Sequence, residues 1–327
     1  MSKMLAAWLA ATSVLYTVNA TAQSPAQSYP NKPIRMLLPF PPGGPTDIMT
    51  RVLGQKLTER WGQAVIADYH SGANGNIATE LAAKAAPDGY TLYMPSAGVV
   101  TVNPSLYKEF RVDPMKALAP ISMLAKTTSV LVVHPSLNIK SVKELIQLAK
   151  AKPGQLNFAS SGSGSAGHLG MERFNRQAQV DIKHIPYKGA GPAVTALIAG
   201  DVHILMAAMP ALTSHISSGR AIALGIPSAE PSPLAPGLPT IAEAGGLPGF
   251  EVDNWVGLLG PAGMAGGLIN RINLEVVAIL RAPEVKEQLM KGGFDPVGST
   301  PDQFRSTIEA GIKTWAGVIK EAGITVD

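Results

Sequence analysis

From residue 29 onward, short apolar runs alternate with segments of helical periodicity, and few architectures accommodate that alternation. The runs predict strands at 34–39, 64–69, 90–95, 129–134, 156–160, 182–187, 202–207, 221–226 and 255–260. Most are continuously apolar, the pattern of strands covered on both faces of a parallel sheet. Between them, Ile48, Val52, Leu53 and Leu57 share one helical face, as do Ile77, Leu81 and Ala85. Ser141-x-x-Glu144 opens another helix with a capping box, which Pro153-Gly154 closes. A second box, Thr300 to Gln303 with Pro301 at the first helical position, starts a last helix striped by Phe304, Ile308, Ile312, Trp315 and Ile319. Such a chain forms an α/β fold with right-handed crossovers, and its ligands bind beyond the carboxyl ends of the strands. The Pro-, Gly- and Ser-rich segment 227–250 reads as a long connection between two lobes.

The N-terminus sets the compartment. Lys3, an apolar run from Met4 to Val18 and then Ala20-Thr21-Ala22 make a secretory signal peptide cleaved after Ala22. The run is too short to span a bilayer, which takes about 20 residues. Its removal leaves 327 − 22 = 305 residues, enough for about two domains, and lowers the formal charge from +4 to +3 because only Lys3 is lost. With 15% charged residues and no Arg/Lys cluster, the chain does not read as a nucleic-acid binder. It has no cysteine, which excludes disulfides, thiol catalysis and thiolate metal sites, and a lipid-anchored mature form is not expected. An exported protein of this kind relies on an ordinary core, and 46% hydrophobic residues supply one.

Three Gly-rich turns lie between a strand and a helix. In Pro39-Phe40-Pro41-Pro42-Gly43-Gly44-Pro45-Thr46-Asp47, glycines allow close backbone approach, and the helix start offers free N–H groups to a carboxylate. Asp47 suits a cap or a pair with Arg51, and a plain tight turn accounts for the segment equally well. Ser71-Gly72-Ala73-Asn74-Gly75-Asn76 occupies the same kind of position in the next unit, so the two could face one crevice. The third turn, Ser160-Ser161-Gly162-Ser163-Gly164-Ser165-Ala166-Gly167, contains the G-x-G-x-x-G spacing of dinucleotide sites. That reading needs an acid at the end of the next strand. Asp181 stands at its start instead, and the end is Pro186-Tyr187-Lys188, so no nucleotide cofactor is expected. The turn also departs from G-x-S-x-G. The six histidines, at 70, 134, 168, 184, 203 and 215, show no metal-ligand spacing. His168 is the one best placed to approach a ligand, although packing explains it too. Tyr187 and Lys188 follow a strand end, where they either close over a ligand or form a surface loop.

Taken together, these motifs resemble the tripartite tricarboxylate transporter receptor family, the Bug periplasmic solute-binding proteins. The resemblance runs from Tyr29-Pro30-Asn31-Lys32-Pro33 through 39–47, Gly72 to Gly75, Pro87-Asp88-Gly89-Tyr90, 160–169, Pro186 to Gly189 and 238–245 to Trp255–Gly263. It implies a type II periplasmic-binding-protein fold, two α/β lobes joined by two crossing strands, with lobe 1 at 29–126 plus 250–327 and lobe 2 at 127–249. It implies a receptor, not an enzyme, that captures a dicarboxylate or aromatic acid in the periplasm and hands it to membrane permease subunits. A monomer without cofactor or metal is expected. The implied ligand-binding residues are Phe40, Pro42, Gly44, Thr46, Asp47, Ala73, Asn74 and Ser96 in lobe 1. In lobe 2 they are Ser160, Ser161, Gly164, Ser165, Ala166, His168, Tyr187 and Lys188. Asn74 and the pair His70-Ser71 depart from the small residue and Arg-Pro pair common in the family. The alternative is a secreted serine hydrolase in which Ser161, Ser163 or Ser165 works with His168 and Glu172.

Overall fold

The computed structural model describes residues 29–252 and 254–322, so the expected leader and its cleavage point lie outside the described residues. The chain builds two sheets. The first contains β1 (Ile34–Leu38), β2 (Val65–Tyr69), β3 (Thr91–Tyr93), β4 (Leu118–Thr127), β10 (Trp255–Pro261) and β11 (Phe294–Pro296), in the order β2-β1-β3-β10-β4-β11. The second contains β5 (Ser129–Val133), β6 (Asn157–Ser160), β7 (Lys183–Pro186), β8 (Ile204–Ala208) and β9 (Ile222–Gly225), in the order β7-β6-β8-β5-β9. The chain passes between sheets twice, at Thr128 between β4 and β5 and again between β9 and β10. Two α/β units joined by two crossings form the type II periplasmic-binding-protein fold.

The sheets are mixed rather than all parallel. β1 pairs in parallel with β2 and β3, and β6 with β7 and β8. β10 runs antiparallel to β3 and β4, and β5 antiparallel to β8 and β9. A strand arriving from the other lobe enters its sheet from the shared edge, opposite to the crossover strands beside it. Two strands, β4 and β11, were not expected from the sequence. Pro120 obscures β4, but it sits at a register irregularity opposite Leu259, where a missing N–H is tolerated.

Helix α1 (Pro45–Trp61) buries Met49, Leu53 and Leu57 on the first sheet. In helix α2 (Asn76–Ala83) the expected stripe is corrected. Ile77 and Leu81 are 47% and 41% exposed, whereas Ala78, Thr79 and Ala82 face inward and Ala85 lies past the helix end. Small residues let α2 lie close to the sheet, with the Thr79 hydroxyl 2.8 Å from Tyr93 Oη. Further along come α3 (Ala97–Thr101), α4 (Val142–Ala151), α5 (Ala166–Ala178), α6 (Ala190–Ala199) and α7 (Gly266–Arg281). The last helix, α8 (Pro301–Ala322), makes both halves of its capping box. Gln303 N–H donates to Thr300 Oγ1 at 3.2 Å, and Thr300 N–H donates to Gln303 Oε1 at 3.0 Å. Its Phe304 fills the notch left by Gly257, and Ile319 packs with Val102, Leu106 and Leu169. Leu169 belongs to α5 of the second sheet's half, so the two halves meet at this cluster.

Candidate ligand-binding cleft

The first Gly-rich turn is held from behind. Asp47, buried in the first turn of α1, accepts from Gly43 N–H at 2.9 Å, from Tyr69 Oη at 2.6 Å and from Arg51 Nε at 3.0 Å. The carboxylate is therefore saturated within its own lobe. Gly44 caps α1 without a side-chain acceptor and Pro45 has no N–H, so the amides of Thr46 and Asp47 are the ones the helix start offers to a ligand. Thr46 is 1% exposed and its Oγ1 has no hydrogen-bond partner among the described residues.

The second turn is an unusual backbone. Ala73, Asn74 and Gly75 all adopt left-handed conformations, with φ of 44°, 50° and 89°. An asparagine trio stabilises them. Asn103 Nδ2 donates to the Asn74 carbonyl at 3.0 Å and to Asn76 Oδ1 at 2.5 Å, while Asn74 Nδ2 donates to Asn103 Oδ1 at 2.9 Å. Asn74 Oδ1 is left without a partner among the described residues.

In the serine-rich turn, Ser165 caps α5 by accepting from His168 N–H at 3.3 Å. His168 Nδ1 accepts from Gly164 N–H at 3.0 Å, which ties the turn to the helix. His168 stacks on His184 at 4.0 Å between ring centroids, and His184 stacks on Phe158. Ser160 Oγ lies 2.7 Å from His184 Nε2. Burial pushes the His168 imidazole down to about 4 and His184 down to about 3, the charge of His168 adding to the second. Glu172 Oε1 is 3.9 Å from His168 Nε2, and burial raises its carboxyl. The triad geometry of the alternative reading is not formed: the His168 ring holds a backbone amide, and the serine–imidazole contact of this turn is between Ser160 and His184.

Between the two lobes lies a narrow cavity of about 50 Å³. Of the sequence-predicted residues, Phe40, Gly44, Thr46, Asn74 and Ser96 line it from one side, and Ser161, Ser165 and Ala166 from the other. Pro42 and Tyr187 line a second, more open depression at the cleft edge instead. Asp47, Ser160, Gly164 and His168 stand behind the walls in the hydrogen bonds just described, and Ala73 and Lys188 are exposed. Sequence reasoning missed Ser129, Asn254, Ala190 and the end of β8 at Met206–Ala208. The rule that ligands bind at carboxyl ends of strands could have found β8. Ser129 and Asn254 lie at the two crossings and carry no local signal.

At Gly189 and Gly191 the lobes approach closely because neither residue carries a side chain. A Cβ on Gly191 would lie 2.6 Å from the Pro42 carbonyl oxygen, and one on Gly189 2.8 Å from Pro41 Cδ. Tyr107 Oη donates to the Ser163 carbonyl at 2.5 Å. None of the residues lining the cavity is charged. Helices α1 and α5 bring their N-termini to it, and their amides and dipoles favour an anion there. Among the described residues no cluster of three or more His, Asp or Glu could hold a metal, and no helix is long and apolar enough to cross a membrane.

The model of the tripartite tricarboxylate transporter family receptor matches residues 49–324. Protein BugT of Bordetella pertussis is 40% identical over 308 residues, which cover 94% of this chain and 94% of BugT. An R. palustris protein solved with adipate is 34% identical at a TM-score of 0.88, covering 91% of this chain and 99% of its own. MatC from Rhodopseudomonas palustris, solved with bound malate, is 28% identical at a TM-score of 0.84, with coverage of 89% and 100%. The fold, the cleft at its crossings and these relatives agree, and the chain belongs to the tripartite tricarboxylate transporter receptor family.

Proposed function

We propose that the protein is a periplasmic receptor that captures a small amine-free carboxylate and delivers it to a membrane permease of the tripartite tricarboxylate type. One observation carries the reading: two helix N-termini and the buried Thr46 hydroxyl converge on an interlobe cavity without a charged wall. Such a site stabilises a carboxylate with oriented dipoles and hydroxyl donors, and it offers an ammonium no counter-charge, which makes burial of one costly. The Ser165 hydroxyl accepts from His168 N–H and keeps its own proton to donate to the ligand. Phe40, Gly44, Ser96, Ser161 and Ala166 wall the ligand, and the edges at Pro42, Ala73, Tyr187 and Lys188 come together over it.

At about 50 Å³ the cavity is far smaller than the ~300–1,000 Å³ of small-molecule pockets, so the lobes part to admit a ligand and close upon it. Residues 29–126 plus 250–327 move against 127–249 in this reading. Receptor function also fits the imidazole of His168, which is spent on a backbone amide rather than on activating a serine. The signal-peptide pattern expected at 1–22 and the similarity to a periplasmic binding protein support export.

A thermal-shift and calorimetric panel of succinate, malate, adipate, citrate, benzoate and glutamate tests the proposal. An amine-free acid at 100 times its dissociation constant is expected to add about 2.7 kcal/mol of stability. Tight binding of glutamate with none of the amine-free acids would refute it. Ester turnover that disappears in Ser165→Ala would restore the hydrolase.

A further inference from the structure

We infer that Asn74 is a specificity-determining residue that requires a hydroxyl on the ligand beside its carboxylate. The inference rests on the carboxylate reading above and adds the second functional group. Asn74 is 9% exposed, lines the cavity, and its Oδ1 has no hydrogen-bond partner among the described residues.

The asparagine trio settles which way the amide points. Asn103 uses its NH₂ for both the Asn74 carbonyl and Asn76 Oδ1, so its own Oδ1 is left as an acceptor. Asn74 must therefore present its NH₂ to Asn103, and its oxygen points the other way, toward Gly162 of the opposite lobe. Flipping the Asn74 amide would set two carbonyl oxygens against each other. The left-handed backbone at Ala73 and Asn74 holds the side chain in this place. A buried acceptor that cannot become a donor demands a donor from whatever fills the cavity.

The rest of the cavity decides the class of donor. Thr46 Oγ1, the other orphaned polar atom of the lining, can donate to a carboxylate at the start of α1. Asp47 is saturated and the lining holds no charge, so an ammonium donor lacks a counter-ion. A neutral hydroxyl satisfies Asn74 at no such penalty. Thr46 and Asn74 both line this one small cavity, which favours a hydroxyl close to the carboxylate.

Calorimetric titration of the wild-type protein with matched acids tests the inference: succinate against malate, glutarate against 2-hydroxyglutarate, adipate against 2-hydroxyadipate and phenylacetate against mandelate. Each hydroxy acid is used as separate enantiomers. One enantiomer of the best-fitting pair should bind about tenfold or more tightly than its unsubstituted partner, and the matched 2-amino acid more weakly than either. In Asn74→Gly, which suits the left-handed backbone, the ratio between hydroxy and unsubstituted acid should fall toward one. Equal binding within every pair, or a preference that persists in Asn74→Gly, would overturn the inference while leaving the carboxylate receptor intact. Failure of every acid to bind would overturn both. The wild-type ratios use unmodified protein, so they decide the matter even where the variant does not fold.

Discussion

Gly191 offers a way to perturb lobe closure without perturbing either lobe. It lies in the first turn of α6, in helical backbone that alanine adopts freely, so the substitution carries no conformational cost within its own half. Across the cleft, however, the new Cβ would stand 2.6 Å from the Pro42 carbonyl oxygen and 3.8 Å from Gly43 Cα. The first distance is well inside van der Waals contact, and the atom it meets is backbone that cannot rotate away. Overpacking of this kind costs about 1–3 kcal/mol. Here the cost falls only on the closed form, so ligand affinity should drop about 5- to 150-fold. Gly167→Ala is the contrasting variant. Its Cβ would meet the Met206 carbonyl oxygen at 2.1 Å within the same lobe, so it should destabilise the ligand-free protein. Calorimetry with the best carboxylate gives the affinity, thermal unfolding without ligand gives the stability, and small-angle scattering at saturation gives the compaction. Unchanged affinity in Gly191→Ala with full compaction would refute closure through this contact. So would a melting point lowered as far as that of Gly167→Ala.

Two further outcomes follow from His168 and His184 and from the last helix. His168 and His184 are held at about 4 and 3 in the folded protein, below the ordinary imidazole value of about 6.5, so the unfolded chain binds protons that the native state does not. Stability should be full above pH 6.5 and fall as pH drops toward 4, by about 2 kcal/mol at pH 5 for His168, which is 6% exposed. Urea midpoints at pH 7 and 5 measure it, and a drop of the same size in His168→Gln would sink the assignment. Gly317 is exposed within α8 and a Cβ there meets nothing within 4 Å, so Gly317→Ala should raise stability by about 0.5–1 kcal/mol. A lowered urea midpoint would contradict it.

What the sequence determined by itself is local. The serine cap at Ser141, the capping box at Thr300, the α8 stripe and the Gly-rich strand-to-helix turns are spelled out within a few residues by helical periodicity and cap chemistry. The same short range misled the reading of α2, because Ile77 and Leu81 have helical spacing but only the sheet decides which face is covered. The strand runs marked themselves by apolarity, yet their direction did not, since direction depends on which lobe the chain arrives from. Tertiary structure alone set Asn74 opposite Gly162 and brought Ser129 and Asn254 from the crossings to the cavity. Partners separated by dozens of residues leave no pattern in either neighbourhood, because their meeting is fixed by chain crossings and by the packing of one lobe against the other.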